Sequence, residues 1–229
     1  MHPVVVLIHG GFWRARYKLR LEDDLVADLA RRGWAVWNLE YRRLGWRSRG
    51  GWPATFEDVA AGIDLLGELD QPLDLARVVG VGHSAGGHLA FWAAGRPGLP
   101  AGAPGAEPRI RLAGAIAQAG VVDLREGLRL QLSHGVVRRL LGGTPDKHPR
   151  RYELASPVER LPLGASRLLV HGDADDVVPI SIARGYQRRA LAAGDPCELI
   201  ELPGVGHMEH VDPRSAAWPP VVGWLEEHR

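Results

Sequence analysis

The sequence predicts an α/β fold, a mostly parallel sheet of about six strands with helices on both faces, in a single domain spanning 1–229. Three observations predict it. Short β-branched runs alternate with longer amphipathic stretches along the whole chain. The short runs are apolar throughout rather than at every second position, which marks strands buried on both faces. The chain has 229 residues, 45% of them apolar, enough for one core and too apolar for disorder.

The elements follow in order. Val4 to Ile8 is a continuous apolar run that ends in His9-Gly10-Gly11, a strand followed by a tight turn. Leu19 to Arg32 carries leucines at 21, 25 and 29 among acids and arginines, an amphipathic helix that Gly33 ends. Trp34 to Leu39 is the next strand, and Ala54 to Leu69 the next helix, entered through Pro53 with Thr55 as a candidate cap. Arg77 to Gly82 is a buried strand that runs at once into Ser84 and a small-residue helix, Ala85 to Ala94. A Gly/Pro-rich loop fills 95–108. Strands follow at Leu112–Gln118, Leu168–His171 and Glu198–Leu202, with helices at 180–193 and 215–228 and a less regular, cap-like insert around 121–165.

Composition removes several classes of function. A net charge of +1 leaves no footprint for nucleic acid. Cys197 is the only cysteine, so no intrachain disulfide marks an oxidising compartment. The first apolar run is five residues long, far too short for a signal segment or a membrane span, so the expected setting is cytoplasmic, away from membranes.

The unusual residues fall at the carboxyl ends of strands, where open parallel sheets bind ligands. Gly82-His83-Ser84-Ala85-Gly86 lies between a strand and a helix, the context of a nucleophile elbow in which a serine is held above the sheet edge. A serine hydroxyl needs a base, and the base an orienting acid. The loop after Leu168–His171 offers Asp173, Asp175 and Asp176 as acids. After the last strand, Gly204-Val205-Gly206-His207 offers His207 as base, with His210 next to it. For the oxyanion, the Ala85 N–H at the helix start pairs with Gly11 and Phe12 in the Gly-rich loop, while His9 fastens that loop by hydrogen bonding. Trp13, Trp52 and His83 are assigned to the substrate pocket, and Trp46 lies in the same loop region as Trp52; packing over the sheet is the competing role for each tryptophan. His207-Met208-Glu209-His210 lacks a third ligand cluster, so no metal is expected.

These motifs resemble the α/β-hydrolase superfamily over essentially the whole chain: HGGFW at 9–13, GHSAGG at 82–87, HGDADDVVP at 171–179 and GVGH at 204–207. The third matches the superfamily pattern H-G-x-x-D-x-x-V-P with Asp175 at the acid position, so the resemblance implies a Ser84–Asp175–His207 triad in that chain order. HGG followed by an aromatic residue and Trp is similar to the small esterase and kynurenine formamidase branch, near the prolyl-oligopeptidase-like hydrolases. The resemblance implies hydrolysis of a small ester or amide through an acyl-enzyme without metal or cofactor. Small carboxylic esters come first, N-formylkynurenine or an acyl-amino or short-peptide bond second, and a catalytically silent binding protein last. Members usually carry one or two strands before the HGG strand, whereas here HGG begins at residue 9. Either the N-terminal part of the sheet is trimmed or the native start lies upstream of Met1. A trimmed sheet exposes a neighbour position beside Val4–Ile8 for pairing with a second copy, a homodimer.

Overall fold

A computed structural model describes residues 1–229. Six strands form one sheet: β1 (His2–Ile8), β2 (Ala35–Leu39), β3 (Leu73–His83), β4 (Gly114–Gln118), β5 (Ser166–Gly172) and β6 (Glu198–Leu202). Their spatial order is β2-β1-β3-β4-β5-β6, and every neighbouring pair is parallel. Parallel neighbours need a crossover, and helices supply it, among them α1 (Asp23–Arg31), α2 (Ala54–Asp64), α3 (Ala85–Ala94) and α7 (Ser181–Ala192); α8 (Trp218–Glu227) follows the last strand.

Alternation along β1 shows how one strand serves both layers. Val4, Val6 and Ile8 join a core with Phe56 and Val59 of α2 and Leu89 and Phe91 of α3. Val5 and Leu7 join the opposite core with Leu25 and Leu29 of α1 and Trp218, Val221 and Trp224 of α8. Each buried aliphatic side chain contributes roughly 1.5–3 kcal/mol, so a polar residue anywhere in this run is costly.

Three details differ from expectation. β1 is paired on both sides, and the sheet edges are β2 and β6; the pairing surface expected beside Val4–Ile8 is filled by β2. Thr55 does not cap α2. Its hydroxyl donates to the Arg42 carbonyl and accepts from Gly51 N–H, tying the preceding loop to the helix. The insert forms α4 (Leu124–Arg129), α5 (Leu132–Leu141) and α6 (Pro149–Ala155). Val121, Leu124, Val137, Leu140 and Tyr152 bury it in the main core. His88 Nε2 and Trp92 Nε1 of α3 hold the Ala155 and Leu154 carbonyls at the end of α6. No helix is long and apolar enough to cross a membrane.

Candidate active site

Ser84 sits between β3 and α3 with φ 56° and ψ −115°, a conformation that costs a non-glycine residue about 1–3 kcal/mol. Three backbone hydrogen bonds offset it: Ser84 N–H donates to Gln118 O at 2.7 Å, and His88 N–H and Val121 N–H donate to Ser84 O. The turn closes only because residues 82 and 86 are glycines. A Cβ on Gly86 would lie 1.7 Å from Ile8 O, and one on Gly82 would lie 2.2 Å from Gly86 O. Ser84 Oγ is buried and makes no hydrogen bond within the protein.

Asp175 and His207 come from the loops after β5 and β6. Backbone bonds clamp those loops together, from Asp173 N–H to Leu202 O and from Ala174 N–H to Val205 O, and Asp173 Oδ1 accepts from Gly204 N–H. Asp173 therefore serves the turn, and Asp176 points to solvent. His207 Nδ1–H donates to Asp175 Oδ2 at 2.7 Å, which leaves Nε2 with its lone pair. Asp175 Oδ1 accepts from Val177 and Val178 N–H at 2.9 and 2.8 Å. Burial opposes ionisation of Asp175, yet the hydrogen bonds from His171, His207 and Val178 outweigh it and hold the carboxyl well below the usual carboxylate range.

Sequence reasoning missed His171. Its Nε2 lies 2.8 Å from Val178 O and 3.3 Å from Asp175 Oδ2. A carbonyl only accepts, so Nε2 carries the proton and shares it with the carboxylate. The signal was present in the sequence as a histidine four residues before the acid.

His83 borders the cavity but is only 1% exposed. Its Nε2–H donates to His207 O at 3.0 Å, so the ring seats the backbone of the candidate base. Burial, then the neighbouring His207 and His210, push its basicity well below the normal histidine range. His210 is buried with both ring nitrogens unpartnered, and burial brings it down to about 3. It is His207, not His210, that holds the acid.

The loop after β1 reverses through three consecutive left-handed residues, Gly11, Phe12 and Trp13. A Cβ on Gly11 would lie 2.4 Å from the Tyr17 side chain. The Gly11 and Phe12 N–H groups donate to no protein acceptor, and Ala85 N–H opens α3, where backbone donors have no partner inside the helix. His9 lies between Gly10 O at 2.8 Å and Glu40 Oε1 at 2.9 Å and stacks on Tyr41, whose hydroxyl donates to His9 O.

Glu22, just before α1, is buried behind this loop. Burial pushes its carboxyl up to about 8 against the favourable contact from Gly10 N–H. An unfolded glutamate titrates near 4.5. Between these values the native state holds a proton that the unfolded chain has released, so Glu22 stabilises fully below pH 4.5 and loses that stabilisation as pH rises toward 8. In Glu22→Gln this component vanishes. Melting temperatures at pH 5, 6.5 and 8 should fall less steeply for the variant than for the native chain.

Gly11, Phe12, Tyr17, Leu21, His83, Ser84, Val177, His207 and Met208 enclose a cavity of about 260 Å³. Two assigned pocket residues are not among them, and this corrects the sequence reading. Trp13 is 0% exposed, packed edge-on to His88 within the core, because its left-handed backbone turns the ring inward. Trp52 packs on Phe56. Trp46 is fully exposed. No residue of α4 to α6 lines the cavity. Larger depressions, of about 350 Å³ at the β2 edge and about 500 Å³ beside α2, hold no nucleophile–base pair. No three His, Cys, Asp or Glu side chains converge with metal-binding geometry.

Comparison with known families matches residues 1–188 to BD-FAE. The chain belongs to the BD-FAE family. The matched stretch carries the HGGFW loop, Ser84 and Asp175, and ends before His207. Among curated relatives, Esterase LipC of Mycobacterium tuberculosis is 28% identical over 90% of this chain and 52% of its own. The probable carboxylic ester hydrolase LipM of the same organism is 32% identical over 90% and 49%. The chain spans about half the length of the curated relatives it matches. Among solved structures, a truncated carbohydrate esterase from gut microbiota superposes with TM-score 0.80 at 22% identity, covering 99% of this chain and 85% of that one. The Thermogutta terrifontis esterase Est2 superposes with TM-score 0.76 at 25% identity, covering 99% and 80%. This BD-FAE chain has the α/β-hydrolase fold.

Proposed function

We propose that this BD-FAE chain is a serine hydrolase of small carboxylic esters that works through an acyl-enzyme. The observation that carries the reading is the His207–Asp175 pair at 2.7 Å, beside a serine with an unpartnered hydroxyl in one small cavity. His207 Nε2 takes the Ser84 proton as Oγ attacks the ester carbonyl. The contact between nucleophile and base is commonly long without substrate and tightens when substrate binds. Asp175 fixes the imidazole tautomer and stabilises the imidazolium. The N–H groups of Gly11, Phe12 and Ala85 receive the oxyanion. His207 then protonates the leaving alcohol and activates the water that releases the acid. A cytoplasmic setting without a membrane or nucleic-acid partner belongs to the same proposal, resting on the lone buried Cys197 and the balanced charge.

A cavity of about 260 Å³ lies below the size of most drug-like pockets and favours a short acyl chain. The kcat/KM for p-nitrophenyl acetate should exceed those for p-nitrophenyl octanoate and N-formyl-L-kynurenine by about a hundredfold. The same margin for N-formyl-L-kynurenine would replace the ester reading with the formamidase that the HGGFW segment suggests, and leave the triad standing.

A further inference from the structure

The mouth of the cavity is charged unequally. Segments 9–21 and 41–53 contain no acidic residue and between them carry eight Lys or Arg. They lie side by side, through Leu44 N–H to Trp13 O and Ala15 N–H to Leu44 O. Arg42 and Arg43 have carboxylate partners in Asp58 and Glu40. Arg16, Lys18, Arg20, Arg47 and Arg49 are exposed and form no ion pair. Arg16 and Arg43 meet Tyr17, whose side chain lines the cavity: the Arg16 guanidinium lies 5.8 Å from its ring centre, and Arg43 donates to its carbonyl. The loops that supply Val177 and Met208 to the cavity carry the exposed acids Asp173, Asp176 and Glu209; on the basic side the first exposed acids past Leu21 are Asp23 and Asp24, in the first turn of α1, with Asp24 near Arg214.

We infer that the substrate is an ester bearing an anionic group away from the scissile bond, drawn to the Arg16–Lys18–Arg20 side of the mouth. This rests on the ester hydrolysis proposed above and adds the charge of the substrate to it. Unpaired cations beside a cavity concentrate anions and raise their capture rate, and salt screens the effect. An anionic membrane lying across the mouth would meet Asp176 and Glu209 as well as the arginines, so the charge pattern favours one anionic substituent over an anionic surface.

The test compares 3-(4-acetoxyphenyl)propionate with its neutral carboxamide, which share acyl group and leaving-group chemistry. At about 20 mM salt the anion should have about a tenfold higher kcat/KM, shrinking below about twofold at about 0.5 M salt. In the Arg16→Gln, Lys18→Gln, Arg20→Gln variant the ratio of the two substrates should approach one; using a ratio cancels any general loss of active protein. A ratio near one in the native chain, or one that survives salt or these substitutions, overturns the inference while carboxamide turnover leaves ester hydrolysis intact. Hydrolysis of neither substrate overturns both. Co-sedimentation with phosphatidylglycerol vesicles, without an anion preference in turnover, overturns it in favour of a lipid surface.

Discussion

Ser84→Ala is expected to lower kcat on p-nitrophenyl acetate by about 10⁴- to 10⁶-fold with unchanged circular dichroism. The size of the effect follows from position. Ser84 is the hydroxyl held at the elbow, where φ 56° aims it into the cavity away from α3. No other residue can take over: Cys197 is buried at the start of β6 with its thiol pushed up to about 12, chiefly by burial. The substitution removes only Oγ, which has no hydrogen-bond partner, so the fold loses no contact that holds the elbow. Those contacts are backbone bonds to Gln118, His88 and Val121, and alanine keeps them.

Asp175→Asn is expected to cost about 10⁴-fold in kcat with little change in KM. The amide keeps the shape of the carboxyl but presents an N–H to one of its neighbours. Every group around Asp175 is a donor: Val177 and Val178 N–H on Oδ1, His207 and His171 on Oδ2. An amide NH₂ facing His207 forces the imidazole to place its proton on Nε2, the atom that must accept from Ser84. An NH₂ turned the other way meets the Val177 and Val178 N–H groups instead, and the loop loses two bonds. The first arrangement removes the base; the second keeps an amide oxygen toward His207 but loosens the loop that positions it and leaves no negative charge to stabilise the imidazolium. Comparing kcat with KM for the variant separates this from a binding defect, because a tautomer error acts on the chemical step.

The site was more legible than its surroundings, for a physical reason. Ser84, Asp175, His207 and the Gly11–Phe12 turn each follow a strand directly, so local sequence gives both their identity and their place at the sheet edge. β1 was legible as an unbroken apolar run, whereas β6 carries Glu198 and Glu201 among three apolar residues, as suits a strand at the sheet edge. β3 begins at Leu73, earlier than expected, because Leu73–Leu75 are half-buried with Asp74 among them and only the pairing with β1 makes them strand. Trp13 and Trp52 were assigned to the pocket because a tryptophan after a strand suits either a core or a ligand. Which one it serves depends on how its loop packs, against His88 far along the chain for Trp13 and against Phe56, four residues on in α2, for Trp52. The charge division at the mouth is invisible in a net charge of +1, since the two walls come from segments more than 100 residues apart. The insert looked cap-like from its place after a strand, yet its apolar faces draw it into the core against α3.

The most direct measurement is intact-mass and peptide mass spectrometry after reaction with a fluorophosphonate, in the native chain and in His207→Gln. A nucleophilic Ser84 activated by His207 gives one adduct per chain, mapped to Ser84, formed about 10³-fold or more slowly in the His207→Gln variant. No adduct, an adduct on another side chain, or equal rates in the two proteins would contradict the assignment of Ser84 as nucleophile and His207 as its base.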